Sequence, residues 1–471
     1  MRSFSVVLAS LVALFAAPLL GCGAGTQPRA PQAAAPPAPN AASPAPPVGP
    51  SLPAGVPDTP AGRQLAWVLG ALNGAPAEAD ITPHFSPAFL TRVPPAKLAA
   101  VTGQVARDAP YALERVTPSA GSDRSLVALV RARQGQAFNV HLSVEPDGDR
   151  IDRLLIRPHL DARVANSWKD VAEGLRAAAP SVNFLAAELD GRKCVAVSSV
   201  DAQKSLALGS AFKLYVLDAL ATQIASGRHG WDESIAIDDL HKSLPWGEMR
   251  NEPAGKLFSV RHFAEQMISV SDNTAADHLV AFVGRGAVED AVKTSGHTTP
   301  SLLVPFLSTR EMFAIKLLAS PDERSAYLSA DPGRRRKLLD AYDKRTPAEM
   351  IAHASSLKTP IMIDSLEWFA SAEDLCKVMV DLHERAEATV TAPVGAILSI
   401  NPGIPDEKGQ YRYVGFKGGS EPGVLNVTFL LQRARDGEWL FLSAGFNDTT
   451  RPLDEPKALS AAATALEFFG R

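Results

Sequence analysis

Leu206–Leu217 constrains this chain more than any other stretch. It reads Leu-Ala-Leu-Gly-Ser-Ala-Phe-Lys-Leu-Tyr-Val-Leu, a tight glycine turn followed by an apolar run holding one serine and one lysine. Such a run reads as a buried helix, which would carry the lysine inside with it. Ser210 and Lys213 are three residues apart and share a helix face. A serine hydroxyl is a weak nucleophile until a neighbouring base takes its proton. A lysine desolvated by Ala211, Phe212 and Leu214 loses basicity in the direction that task needs. The helix start adds partial positive charge and the Ser210 N–H, which suits a developing oxyanion. Taken alone, the same two residues would serve as an N-cap and a snorkelling helix lysine.

Two later segments change that balance. Ser269–Asp277 contains Ser271-Asp272-Asn273, and Val414–Ser420 contains Lys417-Gly418-Gly419-Ser420. Ser-x-x-Lys, then Ser-Asp-Asn, then Lys-Gly-Gly, in that order, resembles the serine β-lactamase and penicillin-binding protein superfamily, in particular its class A β-lactamase-like members. The resemblance implies an α/β (α+β) fold with one antiparallel sheet flanked by helices. It also implies roles, carried over motif by motif: Ser210 as nucleophile, Lys213 as the base of acylation, and Ser271 as relay of a proton to the leaving group. Asn273 would bind a substrate amide and help hold Lys213, and Lys417 would bind the substrate carboxylate. Gly418 and Gly419 would leave the strand edge open, and the Ser420 N–H would be the second oxyanion donor. Trp246, in Leu244–Glu248, is expected to wall the pocket.

The departures from the family are equally specific. In class A enzymes a glutamate in the loop after the Ser-Asp-Asn helix activates the deacylating water. Here Gly296–Thr309 contains no acid. Glu311 follows Ser308 at capping-box spacing and is expected to fold back on the backbone. Glu248 is a weaker candidate acid. Asp277 stands where the family often has asparagine. These departures lead to an expectation of efficient acylation with slow or differently assisted deacylation of β-lactam-type amides or esters. A D,D-peptidase acting on peptidoglycan and a penicillin-binding sensor or scaffold are the alternatives. The extra length between Ser271 and Lys417 is expected between Ser320 and Asp364, with Arg334–Lys337 as a solvated basic face.

The chain opens with Arg2, an apolar stretch from Val6 to Leu20, and Leu19-Leu20-Gly21-Cys22. This resembles a lipoprotein signal over residues 1–22, with Cys22 acylated, the protein exported and anchored facing the periplasm, or secreted. Residues 23–60 are rich in Pro, Ala, Gly and Ser and are expected to form an extended tether. Residues 61–158 read as helices followed by four strands, the last two joined at Pro146–Asp149. Their order resembles a small NTF2/SnoaL-like α+β domain. Residues 159–471 carry the motifs, with strands in Asn183–Leu189, Lys193–Ser199, Tyr413–Lys417, Asn426–Gln432 and Trp439–Gly445, and a last helix from about Pro456. A small domain followed by a catalytic domain without the loop glutamate resembles β-lactamase-like proteins of clavulanic-acid-type pathways.

The net charge of −4 gives no reason to expect nucleic acid as a partner. The scattered histidines give no metal-ligand spacing, and no cofactor is expected; the expected partner is a small acyl substrate. Cys194 and Cys376 read as buried free thiols rather than a disulfide, a bridge remaining open.

Overall fold

The computed structural model describes residues 52–471 apart from 120, 161–163, 245, 246, 343, 344, 346, 354–356, 405 and 407. Cys22 and Trp246, both singled out above, lie outside the described residues. The chain divides into two compact units, with the boundary between His159 and Leu160.

In the first unit, Thr59 caps the helix Pro60–Gly74 by accepting from the Gly62 N–H at 3.0 Å, a normal role for a threonine before an N-terminal proline. A second long helix spans Pro95–Val105. Four strands follow: β1 (Ala112–Pro118), β2 (Ser125–Arg131), β3 (Ala137–Val144) and β4 (Ile151–Pro158). They form an antiparallel meander in the order β1-β2-β3-β4. Burial alternates along β2, as period-2 side chains require when one face meets a core. Leu126, Ala128 and Val130 join Leu65, Leu72, Val140 and Leu142 in that core.

The second unit is built on β5 (Ser181–Asp190), β6 (Lys193–Val200) and three late strands. Between them lie the short strands β7 (Leu206–Ala207), β8 (Ser234–Ala236), β9 (Leu257–Ser259) and β10 (Phe369–Ala370). The late strands are β11 (Tyr411–Glu421), β12 (Val424–Arg433) and β13 (Trp439–Asn447), and the sheet order is β11-β12-β13-β5-β6. Every pairing is antiparallel, and β13 against β5 joins the end of the chain to the start of the unit. Helices Trp168–Arg176 and Glu455–Gly470 pack on one face through Val171, Leu175, Ala462 and Leu466. The other face meets a larger helical body around the Lys213–Ala225 helix. Three layers with two cores result, one on each side of the sheet.

The cysteines depart from the expectation. Cys194 on β6 and Cys376 in the helix Ala372–Glu387 form a disulfide, with Cα atoms 6.5 Å apart. The reading as free thiols missed it because the chain folds back over a sequence separation of 182 to place that helix against β6. Arg192 adds ion pairs from the β5–β6 turn to Asp381 and Glu384 on the same helix. The stretch from Ser320 to Asp364 contains the helices Pro321–Ser329, Pro332–Leu339 and Pro347–His353. Within Arg334–Lys337, Arg335 donates to the Tyr327 and Leu328 carbonyls, and Arg336 pairs with Glu289. That stretch therefore does more local work than a plain solvated face.

Candidate active site

The Ser210 turn is shaped before its helix begins. Gly209 has φ +50°, in the left-handed region that favours glycine, and Gly209–Phe212 is a 3-10 turn leading into the α-helix at Lys213. At three residues per turn, positions 210 and 213 lie directly above one another. The turn is held from both sides. The Trp368 carbonyl accepts from the Leu208 N–H at 2.9 Å, and the Trp368 ring stacks on Phe212 with centroids 3.8 Å apart. The strand β7 just before it pairs with β10, and the Ala207 N–H donates to Asn447 Oδ1 at 2.9 Å.

The strand end of β11 lies against the same turn. A Cβ on Gly419 would stand 2.0 Å from the Leu208 carbonyl oxygen and 2.5 Å from the Ser210 nitrogen. A Cβ on Gly209 would stand 3.0 Å from the Ser420 nitrogen. Only glycine at 419 permits this approach, which brings the Ser210 and Ser420 backbones together as a pair of oxyanion donors requires.

Lys213 and Lys417 enter this site fully buried. Lys213 Nζ lies 3.3 Å from Ser210 Oγ, 3.1 Å from Ser271 Oγ, 2.6 Å from the Ser271 carbonyl and 2.7 Å from Asn273 Oδ1. Two of these four neighbours are carbonyl oxygens that can only accept. A neutral amine satisfies both with its two N–H groups and keeps a lone pair for a hydroxyl proton. Burial pulls Lys213 down to about 7, against the pull of Asp272 and Asp277, so that neutral form is accessible near neutrality. Lys417 donates to Ser271 Oγ at 3.0 Å and to the Gly418 carbonyl at 2.6 Å. Burial, then the charge of Lys213, holds Lys417 well below its usual value. An anionic substrate group would oppose both effects.

Ser271 joins the two amines. Its φ of +60° is unusual for a non-glycine residue and directs both its carbonyl and its hydroxyl at Lys213. Such a conformation costs on the order of 1–3 kcal/mol and persists where the surroundings impose it. Asp272 is one of them: fully buried, it caps the helix Asn273–Val283 and accepts from Ala275 N–H at 2.8 Å and Met249 N–H at 3.0 Å. Asn273 spans Lys213 and the Leu244 carbonyl, to which its Nδ2 donates at 2.7 Å. Leu244 and Gly247 thus border the site, with Gly247 packed onto the Asp272 carboxylate.

Ser210, Lys213, Ser271, Asn273, Lys417, Gly418, Gly419 and Ser420 therefore converge on one place. The acids singled out in the sequence are occupied elsewhere. Glu311 closes a capping box with Ser308 and also pairs with Arg285 at 2.6 and 3.0 Å. Glu248 is exposed and accepts from Asn251 Nδ2 at 2.9 Å. Asp277 receives the Thr309 N–H at 2.7 Å, the Thr309 hydroxyl at 2.9 Å and the Arg310 N–H at 2.9 Å, which ties the Ser-Asp-Asn helix to the helix Thr309–Leu318. Sequence reasoning missed Trp368, Lys316, Glu367 and Glu421. Glu421 directly follows the Lys-Gly-Gly-Ser motif, a signal that strand alternation makes readable. Glu367 had no such signal. Among the described residues no group of three His, Cys, Asp or Glu is placed to hold a metal ion, and no helix is long and apolar enough to cross a membrane.

Residues 166–351 match the family model described as the beta-lactamase enzyme family. Over those residues the second unit is similar to that family. Its antiparallel sheet with flanking helices is the expected arrangement. Residues 56–149 match a model described as ORF 12 gene product N-terminal, rather than a SnoaL or NTF2 one. Similar solved structures include a β-lactamase from Sphaerobacter thermophilus, 18% identical, covering 64% of this chain and 98% of that one with a TM-score of 0.45. One from Chitinophaga pinensis is 15% identical, covering 65% and 98% with a TM-score of 0.44. A PBP-A variant in its acyl-enzyme complex with penicillin G is 12% identical, covering 64% and 96% with a TM-score of 0.42. No curated protein matches the chain.

Proposed function

We propose that the protein is an exported serine acyl hydrolase, acylated at Ser210 by β-lactam-type amides or esters and slow to release the acyl group. The observation that carries this reading is the contact set of Lys213. Two carbonyl acceptors hold its amine in place, with the Ser210 and Ser271 hydroxyl oxygens 3.3 and 3.1 Å from it. In acylation, Lys213 takes the Ser210 proton as Oγ bonds to the substrate carbonyl carbon. The Ser210 and Ser420 N–H groups face the oxyanion. When the carbon–nitrogen or carbon–oxygen bond breaks, Ser271 passes a proton to the leaving atom and is reprotonated from the Lys213 side. Lys417 holds a substrate carboxylate and orients Ser271.

Slow release is supported by where the nearby acids are committed: Glu311 to Arg285 and Ser308, Glu248 to Asn251. Export is supported by the Cys194–Cys376 disulfide, a bond of oxidising compartments, and by the Leu19–Cys22 sequence, which suits a lipid anchor.

The test is intact-protein mass against time after mixing with a penicillin and with a chromogenic ester, for wild type and Ser210→Ala. A persistent adduct of the acyl mass, absent from Ser210→Ala, is expected. Fast turnover with no adduct would overturn slow release. An adduct on both proteins, or on neither with no turnover, would overturn Ser210 as the nucleophile for these substrates.

A further inference from the structure

Lys316, in the last turn of the helix Thr309–Leu318, is 1% exposed at its side chain. Its Nζ lies 2.5 Å from Glu367 Oε1 and 2.6 Å from Glu421 Oε1. Two carboxylates and one ammonium leave a surplus negative charge in a buried site unless a proton is kept. Burial, then the charge of Glu367, pushes the Glu421 carboxyl well above its usual range against the pull of Lys316. A buried ionic cluster of this kind is weak grounds for expecting net stability, since desolvation offsets much of the attraction. What it joins is more informative.

Glu367 precedes Trp368, whose carbonyl and ring hold Leu208 and Phe212 on either side of Ser210. Glu421 follows Ser420, whose nitrogen faces Gly209. Lys316 therefore links the segment that cradles the Ser210 turn to the strand end that carries the second N–H donor. We propose that the Glu367–Lys316–Glu421 bridge is a positioning device that fixes the separation of the Ser210 and Ser420 N–H groups. Its catalytic consequence rests on the Ser210 acyl-enzyme reading above. Without the bridge, the Ser210 turn keeps its packing at Gly419 and the Ala207–Asn447 bond to β13, but the link between the Trp368 segment and the end of β11 is lost and the two donors drift from the spacing an oxyanion needs.

The test uses the full chain and three variants. Lys316→Met strands two buried acids, so the triple variant Lys316→Met/Glu367→Gln/Glu421→Gln removes all three charges at nearly constant volume and safeguards folding. Lys316→Arg keeps the charge. Acylation at saturating penicillin is expected to fall about 10- to 100-fold in the triple variant, short of the loss from deleting an oxyanion donor outright. The non-covalent binding constant should stay within about twofold, and Lys316→Arg should recover part of the rate. Amide hydrogen exchange, which needs no substrate, should quicken in 206–214 and 417–424 and stay unchanged in β1–β4. Unchanged exchange in both segments, or a triple variant that acylates at the wild-type rate, would overturn the proposal. A wild type that forms no Ser210-dependent adduct would instead overturn the acyl-enzyme reading, and hydrogen exchange alone would then decide the bridge.

Discussion

A lysine amine with two carbonyl oxygens at 2.6 and 2.7 Å must spend two N–H bonds on them. Whether a third proton is present decides if Ser210 faces a base or another donor. With Lys213 brought down to about 7, the neutral fraction rises with pH through that value. Acylation should therefore climb about tenfold per pH unit below 7 and level off above it. A stopped-flow pH series checks this, and a flat profile from pH 5 to 9 would remove Lys213 as the base. Asn273 supplies one of those acceptors and also donates to Leu244. Asn273→Ala should lower the acylation rate by about 10-fold to 100-fold. The pH midpoint should shift upward as well, because the void admits water and relieves the burial that holds Lys213 down, by more than the lost acceptor lowers it. An unshifted midpoint would mean that the lost acceptor and the admitted water offset one another.

At the scale of elements, the site depends on a strand end lying on a turn. Gly419→Ala would place a methyl group 2.0 Å from the Leu208 carbonyl oxygen, a contact relieved only by moving β11 or the turn. Acylation should drop by about 10²-fold, comparable to losing one oxyanion donor. Gly418→Ala meets the Phe416 ring at 2.8 Å, a side chain able to move, and should be milder. Equal losses in the two variants, measured as acylation rate at saturating substrate, would contradict this geometry. The same contrast explains what was readable beforehand. Ser210, Lys213, Ser271 and Lys417 announce themselves because polar groups stand at fixed spacing in apolar runs, where burial forces them to interact. The five long strands of the second unit were likewise legible from apolar, β-branched runs, with ends within a few residues. Trp368 and Glu367 were not, because their role comes from the β7–β10 pairing, a contact between segments 160 residues apart that no local pattern encodes. The 3-10 form of the Ser210 turn was hidden for a related reason: the turn packs against β11 at Gly209, a contact between segments far apart in sequence.

For the whole molecule, the cores set which parts unfold together. The first unit has a core of its own, and the second has one on each face of its sheet. The Cys194–Cys376 bridge closes a loop of 182 residues inside the second unit, enclosing Ser210, Lys213, Ser271 and Asn273 but not Lys417. A cross-link over so long a loop removes conformational freedom mainly from the unfolded chain, at about 2–5 kcal/mol in typical cases. Cys194→Ser/Cys376→Ser should therefore lower the denaturation midpoint of the second unit and leave that of the first unchanged, as followed by hydrogen exchange across a urea series. Acylation in the absence of denaturant should persist, because β6 lies at the edge of the sheet opposite β11 and Lys417. If the double variant instead lost acylation while keeping its midpoint, the bridge would be acting on the site and not on the unfolded chain. A reductant that reproduces the double variant's midpoint in wild type would establish that the bond itself, and not the substituted side chains, carries the stabilisation.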